Sequence, residues 1–113
     1  MIHVTVFRDS TGYRGYEARG HADYAESGYD IICSAVSVLT INTANAIEKL
    51  TGDEIRDEER DGWIRCRFPS GLSKEGTLLM DAMLLGLGQV AETVQEETGK
   101  PFVKLEIEEG KSC

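Results

Sequence analysis

Apolar and polar residues alternate at the start of the chain. Ile2, Val4 and Val6 fall on one side of an extended segment, with polar or aromatic residues between them. A period of two is typical of a half-buried strand. The turn residues DSTG at 9–12 follow, and YRGYEARG at 13–20 can return as an antiparallel partner. The opening segment therefore predicts a β-hairpin.

A helical period replaces this alternation from Ile31 onwards. Apolar residues recur every three or four positions as far as Leu50, and Gly52 follows as a stop signal. Asp30 is a residue type favoured at the N-cap, the position just before the first helical residue. We therefore predict a helix from Ile31 to Leu50, capped by Asp30, with Cys33 in its first turn.

Two further strands are predicted after this helix. The acidic segment DEIRDEER at 53–60 is typical of an exposed edge strand. Asp61-Gly62 is a turn signal that leads into WIRCRF at 63–68, where polar and apolar residues alternate again. Cys66 shares the apolar side of that strand and should face the core.

A second helix and a last strand complete the pattern. Ser73 can cap a helix that runs to roughly Thr98, where a Gly-Lys-Pro sequence stops it. Residues 78–87 are apolar on nearly every face, so this helix should pack on two sides or form a dimer interface. FVKLEIE at 102–108 closes the chain as a strand.

These elements give the order ββαββαβ and an α+β fold. We expect a small, mostly antiparallel or mixed sheet packed by two helices. A length of 113 residues and a hydrophobic content of 41% fit one domain over residues 1–113 with a core of its own.

Composition narrows the classes of partner. The net charge of −8 disfavours direct binding of nucleic acid, and it favours encounter with a basic protein. The N-terminus lacks the pattern of a signal peptide. The apolar run at 77–91 is too short to cross a bilayer and is interrupted by Asp81. We therefore expect a cytoplasmic protein without a membrane segment.

Cys33 has a physical reason to be reactive. The N–H groups and the dipole at a helix N-terminus stabilise a thiolate, and a neighbouring imidazole adds to this effect. His21 can supply that imidazole if residues 22–30 fold back between the strand end and the helix start. The alternative is that Cys33 is an inert buried residue, as a lone cysteine commonly is.

Several residues around this pair have both a functional and a structural interpretation. Asp30 can cap the helix or orient His21, and Ser37 can bind substrate or bond to its own helix. Tyr24 and Tyr29 can line a pocket or simply be exposed. The full set of supporting residues is Gly20, Tyr24, Gly28, Tyr29, Asp30 and Ser37.

Three other interpretations use the same sequence. A metal site could be formed from His21, Asp23, Asp30 and Cys33, although such mixed and scattered ligands are unusual, and we expect neither metal nor cofactor. The apolar second helix could serve a structural dimer. The chain could also be a non-catalytic acidic module that binds a basic protein.

Two segments resemble a known family. GHA at 20–22 and GYDIICSAVS at 28–37 are similar to the paired signature of the bacterial ribosomal-processing cysteine protease family, called Prp. Ile32 and Ser34 replace the more usual Val and Ala. The likeness extends to the chain length, the ββαββαβ order and the long apolar second helix, so it covers essentially the whole chain.

The resemblance implies a peptidase with Cys33 as the nucleophile and His21 as the general base, with no cofactor. Asp30, Ser37 and Gly20 match other positions of the motif. Members of the family remove a short N-terminal extension from a large-subunit ribosomal protein, after a pair of aromatic residues, and are usually homodimers. This implies a basic ribosomal protein precursor as the substrate, while the roles of Cys66 and Cys113 stay open.

Overall fold

The predicted order of strands and helices is confirmed. The computed structural model describes residues 1–20 and 29–110, and for Tyr29 and Asp30 it describes the backbone alone. The elements are β1 (Ile2–Asp9), β2 (Gly12–Arg19), α1 (Tyr29–Leu50), β3 (Arg56–Arg60), β4 (Trp63–Arg67), α2 (Lys74–Thr98) and β5 (Val103–Glu109).

The five strands form one mixed sheet in the order β3-β4-β2-β1-β5. Neighbouring strands are antiparallel except β1 and β5, which are parallel. A parallel pair needs a crossover connection, and α2 provides the helix that returns the chain to β5. At one end of the sheet, Ile2 therefore lies beside Val103, while the last residues of β2 lie beside the start of β4.

Both helices cover the same face of the sheet. The alternating residues Ile2, Val4 and Val6 are completely buried on that face, as predicted. One side of α1 packs against them and against Tyr16 of β2, whose hydroxyl donates a hydrogen bond of 2.6 Å to the carbonyl oxygen of Thr40. Burial raises the pKa of Tyr16 well above its usual value, so the hydroxyl stays a donor and anchors α1 to β2.

The predicted ends of α2 are confirmed. The Ser73 side chain accepts a hydrogen bond of 3.0 Å from the Gly76 N–H, as an N-cap does. Asp53 accepts bonds from both the N–H and the hydroxyl of Ser73, which ties the connection after α1 to this cap. Gly99 ends the helix in the left-handed conformation, with a φ of 74°, and its N–H donates to the Gln95 carbonyl.

The start of α1 differs from the prediction. The helix begins at Tyr29, so Asp30 is its second residue and not the N-cap. Acidic residues are also favourable within a first turn, because they complement the positive end of the helix dipole. An aspartate is therefore favourable at either position. Cys33 is the fifth helical residue and not the third, as predicted from a start at Ile31.

The apolar surface of α2 is only partly covered. Met80, Met83 and Leu87 are buried, whereas Leu78 and Leu85 are 68% and 66% exposed. Ile107 is 42% exposed as well, since it lies far along the edge strand β5. The outer face of α2, defined here by Leu78 and Leu85, thus has no partner among the described residues.

The two helices bear on the expectation that the chain has no membrane segment. Residues 31–50 and 74–98 are long and apolar enough to cross a bilayer, with mean hydropathies of 1.4 and 1.2. The apolar run at 77–91 is too short to cross a bilayer, as expected, but α2, which contains it, is long enough. Core helices that pack on a sheet, as these do, meet the same criteria.

Candidate active site

Cys33 is a core residue near the start of α1. Its side chain is only 7% exposed and belongs to the same core cluster as Ile2 and Ala18. In a helix that begins at Tyr29, the first four N–H groups lack a partner within the helix, and Cys33 follows directly after them. The thiol is therefore close to the positive end of the helix dipole and held by a rigid element.

Gly20 directly follows β2 and lies at the end of the sheet where β1 begins. It has a φ of 86°, and a Cβ atom built there would lie 2.6 Å from the Met1 carbonyl oxygen. Its N–H donates a hydrogen bond of 2.9 Å to the Gly62 carbonyl. A side chain at this position would meet both backbone strain and a fixed backbone atom, so glycine has a structural reason here.

The end of β2 and the start of α1 thus approach each other. Gly20 lies against Met1 and Ile2, and Ile32 of α1 lines a groove together with Phe102, which precedes β5 at the Ile2 end of the sheet. His21 follows Gly20 directly in the sequence. His21, Tyr24 and Gly28 lie outside the described residues.

Ser37 is the supporting residue that the structure places most clearly. It lies one turn after Cys33 on α1, is half-buried, and faces the same side of the helix as the thiol. Asp30 and Tyr29 precede Cys33 in the same helix, and their side chains are not described. Cys66 is completely buried in β4, which confirms its predicted place in the core; Cys113 lies outside the described residues.

The predicted alternatives involving metal lie largely outside the described part of the chain. Two of the four residues in that interpretation, His21 and Asp23, are not described. Among the residues that are, no three His, Cys, Asp or Glu side chains group closely enough to hold a metal ion. Neither Cys33 nor Cys66 forms a disulfide with another residue of the described ranges.

A groove of about 810 Å³ lies between the start of α1 and the end of α2, and Ile32, the neighbour of Cys33 in the sequence, is one of the residues that line it. The side from α1 is apolar, and the rim from α2 carries polar groups that include Gln89, Thr93 and Glu97. The apolar lining comprises Ile31, Ile32, Ala35, Leu39, Val90, Val94 and Phe102. The groove was not predicted from the sequence, because the residues that form it are up to 71 positions apart, from Ile31 to Phe102.

A small residue shapes this groove. A Cβ atom built at Gly86 would lie 3.1 Å from a methyl group of Leu39, so the absence of a side chain lets the two helices approach at this point. A glycine within an apolar helix was the one signal in the sequence for such a close approach.

Comparisons with known proteins show the family of this chain. The family described as "Cysteine protease Prp" matches residues 1–98. The ribosomal processing cysteine protease Prp of Bacillus subtilis is 29% identical over 100 residues, which cover 86% of this chain and 89% of that protein.

Two solved structures of Staphylococcus aureus Prp share the fold. The complex with a substrate peptide has a TM-score of 0.81 and 26% identity, and covers 96% of this chain and 100% of the other. The complex with a covalently linked product peptide has a TM-score of 0.75 and 28% identity, with the same coverage. Because the family matches residues 1–98 and the fold is shared, this chain belongs to the Prp family of cysteine proteases.

Proposed function

We propose that this protein is a cysteine endopeptidase in which Cys33 is the nucleophile and His21 the general base. Its substrate is a large-subunit ribosomal protein precursor, from which it removes a short N-terminal extension after an aromatic pair. The observation that carries the proposal concerns the Ile2 end of the sheet. Ile32, which directly precedes Cys33 on rigid α1, lines a groove with Phe102 there, and Gly20, which precedes His21, lies against Met1 and Ile2 at the same end. The family membership supplies the reaction class.

The reaction needs two steps. The Cys33 thiolate attacks the scissile carbonyl carbon, the C–N bond breaks, and the His21 imidazolium gives its proton to the leaving amine. Water then attacks the thioester and gives a proton to His21, while the C–S bond breaks and releases the thiolate. The proposed covalent stage is supported by the S. aureus relative that was solved with a covalently linked product peptide.

The supporting residues have distinct roles in this proposal. N–H groups of the first turn of α1 stabilise the oxyanion, because they point towards the space before Tyr29. Asp30 orients His21, and Ser37 binds the substrate beside the thiol. Tyr24 and Tyr29, with Gly28 between them, form the gate that accepts an aromatic side chain.

The groove between the start of α1 and the end of α2 fits the apolar part of such a substrate. Its apolar lining can take aromatic side chains, while the rim residue Glu97 and the net charge of −8 favour a basic peptide. The alternative is a non-catalytic acidic module that binds a basic ribosomal or assembly protein. That module would also use the charge, but it would not need a thiol at the start of α1.

Cleavage of a defined peptide tests the proposal. We expect the wild-type protein to cut a basic peptide after its Phe-Phe pair and to leave the matched Ala-Ala peptide uncut, as read by mass spectrometry between pH 6 and 9. This range spans the usual pKa values of His and Cys, about 6.5 and 8.5. Binding of the Phe-Phe peptide without any cut would favour the acidic module instead.

We also propose that the protein is a cytoplasmic homodimer that associates through the outer face of α2. Leu78 and Leu85 lie seven residues apart on this face, and α1 exposes Ile31 and Val38 with the same spacing. Exposed apolar residues at this spacing form a stripe, and an apolar stripe of this kind is typical of protein interfaces.

A charge on that stripe should separate the dimer. We expect Leu85→Glu to elute as a monomer in size-exclusion chromatography with light scattering, because an unpaired carboxylate is costly to bury. The control is Gln95→Glu, which adds the same charge at an exposed position near the end of α2. If both variants keep the wild-type mass, the outer face of α2 is not the interface.

A further inference from the structure

The strand register brings basic and aromatic residues into one line on the open face of the sheet, opposite the helices. His3 pairs with Arg19 and with Lys104, and Arg19 pairs in turn with Trp63. We call this line the sheet-end row, since it lies at the end of the sheet where β2 stops. From edge to edge it consists of Lys104, His3, Arg19, Trp63 and Arg60.

The sheet-end row concentrates positive charge in an acidic protein. It contains two arginines and one lysine, all exposed, and no carboxylate, whereas the whole chain has a net charge of −8. The next row along the sheet has the opposite character: its members are Glu106, Thr5, Glu17, Arg65 and Glu58. Charge is therefore segregated by row, which the composition alone does not show.

The cations of the sheet-end row are available to a partner. Neither Arg19 nor Arg60 forms an ion pair with any residue in the described ranges, and Lys104 has only an exposed pair with Glu106 at 3.7 Å. The Arg60 guanidinium carbon lies 5.2 Å from the centre of the Trp63 ring. The carboxylates of the next row are partly neutralised, because Glu17 faces Arg65 at 3.9 Å and Glu58 faces Arg67 at 3.6 Å.

Trp63 offers a flat surface between these cations. Its indole N–H donates a hydrogen bond of 2.7 Å to Glu17, which fixes the orientation of the ring. Neighbouring strands are about 4.8 Å apart, so the five residues span roughly 19 Å. A line of this length, with cations on both sides of an aromatic ring, matches the alternation of phosphates and bases along an extended nucleic-acid strand.

We propose that the sheet-end row binds single-stranded RNA. Arg19, Arg60 and Lys104 contact phosphates, and Trp63 stacks on a base. The interaction does not use Cys33 or the groove; only the choice of RNA rests on the proposed ribosomal substrate. An acidic protein segment would also meet the cations, but it would leave Trp63 without a planar partner.

The net charge does not oppose this binding at physiological salt. Charges are screened beyond about 8 Å at 0.15 M ionic strength, and the molecule measures 40 × 24 × 21 Å. Most of the acidic groups therefore act weakly at the sheet-end row, where three cations are adjacent. The expectation that nucleic acid is not a direct partner rests on the net charge of the whole chain, whereas this proposal rests on the charges near the sheet-end row.

Titration with a labelled RNA tests the proposal. The probe is a fluorescein-labelled single-stranded oligouridine of 12 nucleotides, followed by anisotropy at 50 mM salt, and in parallel the unlabelled RNA is followed by the fluorescence of Trp63, the only tryptophan of the chain. We expect saturable binding and quenching of Trp63. With three phosphate contacts on a single strand, the logarithm of the affinity should fall with a slope of about −2 against the logarithm of salt.

Two double variants with the same net charge isolate the row. Arg60→Gln with Lys104→Gln should weaken RNA binding by about tenfold or more, since it removes two of the three phosphate contacts. Lys49→Gln with Lys74→Gln changes two exposed lysines on the helices and should leave affinity within twofold. Because none of these residues belongs to the active site, peptide cleavage should persist in both, so failure here is distinct from failure of the proposed enzyme.

Four results would overturn the proposal. These are no binding at 50 mM salt, equal weakening by the two double variants, tighter binding of duplex than of single-stranded RNA, or equally strong binding of a polyglutamate peptide. The last result would assign the row to an acidic protein instead. A bound RNA that leaves the fluorescence of Trp63 unchanged would likewise contradict the stacking contact.

Discussion

Replacing Cys33 by alanine is expected to abolish peptide cleavage and to leave the fold intact. The proposed mechanism has no route to the thioester without the thiol, so kcat should fall by at least about 10⁴, as it does when a covalent nucleophile is removed. Alanine fits the buried site without new polar atoms, and the free energy of unfolding should change by about 1 kcal/mol. The measurement is mass spectrometry of the Phe-Phe peptide together with circular dichroism.

Other cysteines supply the control for this experiment. Cys66 is as buried as Cys33 but lies in β4, so Cys66→Ala tests whether loss of a buried thiol is itself harmful. We expect Cys66→Ala and Cys113→Ser to retain cleavage. His21→Ala should reduce the rate by about 10² to 10⁴, the usual contribution of a general base. A fully active Cys33→Ala protein would exclude Cys33 as the nucleophile.

Burial alone does not identify Cys33 as the nucleophile. Cys33 and Cys66 are both buried, and neither forms a disulfide within the described part of the chain. A buried thiol is normally inert. The difference is position: Cys33 follows the first turn of a helix at the sheet end where Gly20 leaves β2, whereas Cys66 is in mid-strand. The motif around residues 20–37 contains Cys33 and not Cys66, which is why the proposal assigns the nucleophile to Cys33.

Local patterns predicted the elements well because their causes are local. The alternation of Ile2, Val4 and Val6 reflects a strand that buries one side, and all three are buried. The cap at Ser73 depends on a hydrogen bond to Gly76, three residues away. Interactions of this range can be read from the sequence, so the order ββαββαβ and both ends of α2 were predictable.

Features that depend on distant residues were not predictable in the same way. The start of α1 was misplaced because Asp30 is favourable both at a cap and inside a first turn. The exposure of Leu85 depends on which faces of α2 the sheet and α1 cover. The sheet-end row arises from cross-strand register between residues as far apart as His3 and Lys104, so a count of charges could not reveal it.

Gly20→Ala is the second substitution for which we expect a large effect, and it acts through the backbone. Two penalties coincide at this position. A φ of 86° is strained for any residue with a side chain, and the added Cβ would lie 2.6 Å from the Met1 carbonyl oxygen, so the start of β1 must move. We expect the free energy of unfolding to fall by about 2–4 kcal/mol, measured by urea denaturation.

Gly99→Ala separates these two penalties. Gly99 has a similar φ of 74°, but a Cβ atom there would meet nothing within 4 Å, so only the conformational cost of about 1 kcal/mol should remain.

Since His21 follows Gly20 directly, a shift of the backbone at Gly20 also moves the proposed base, and a displacement near 1 Å can cost about 10²-fold in rate. Gly20→Ala should therefore lose cleavage even at temperatures where it is fully folded, while Gly99→Ala keeps it. Equal stability losses in the two variants would show that Met1 yields easily, and full activity in Gly20→Ala would mean that the backbone at the end of β2 does not position His21.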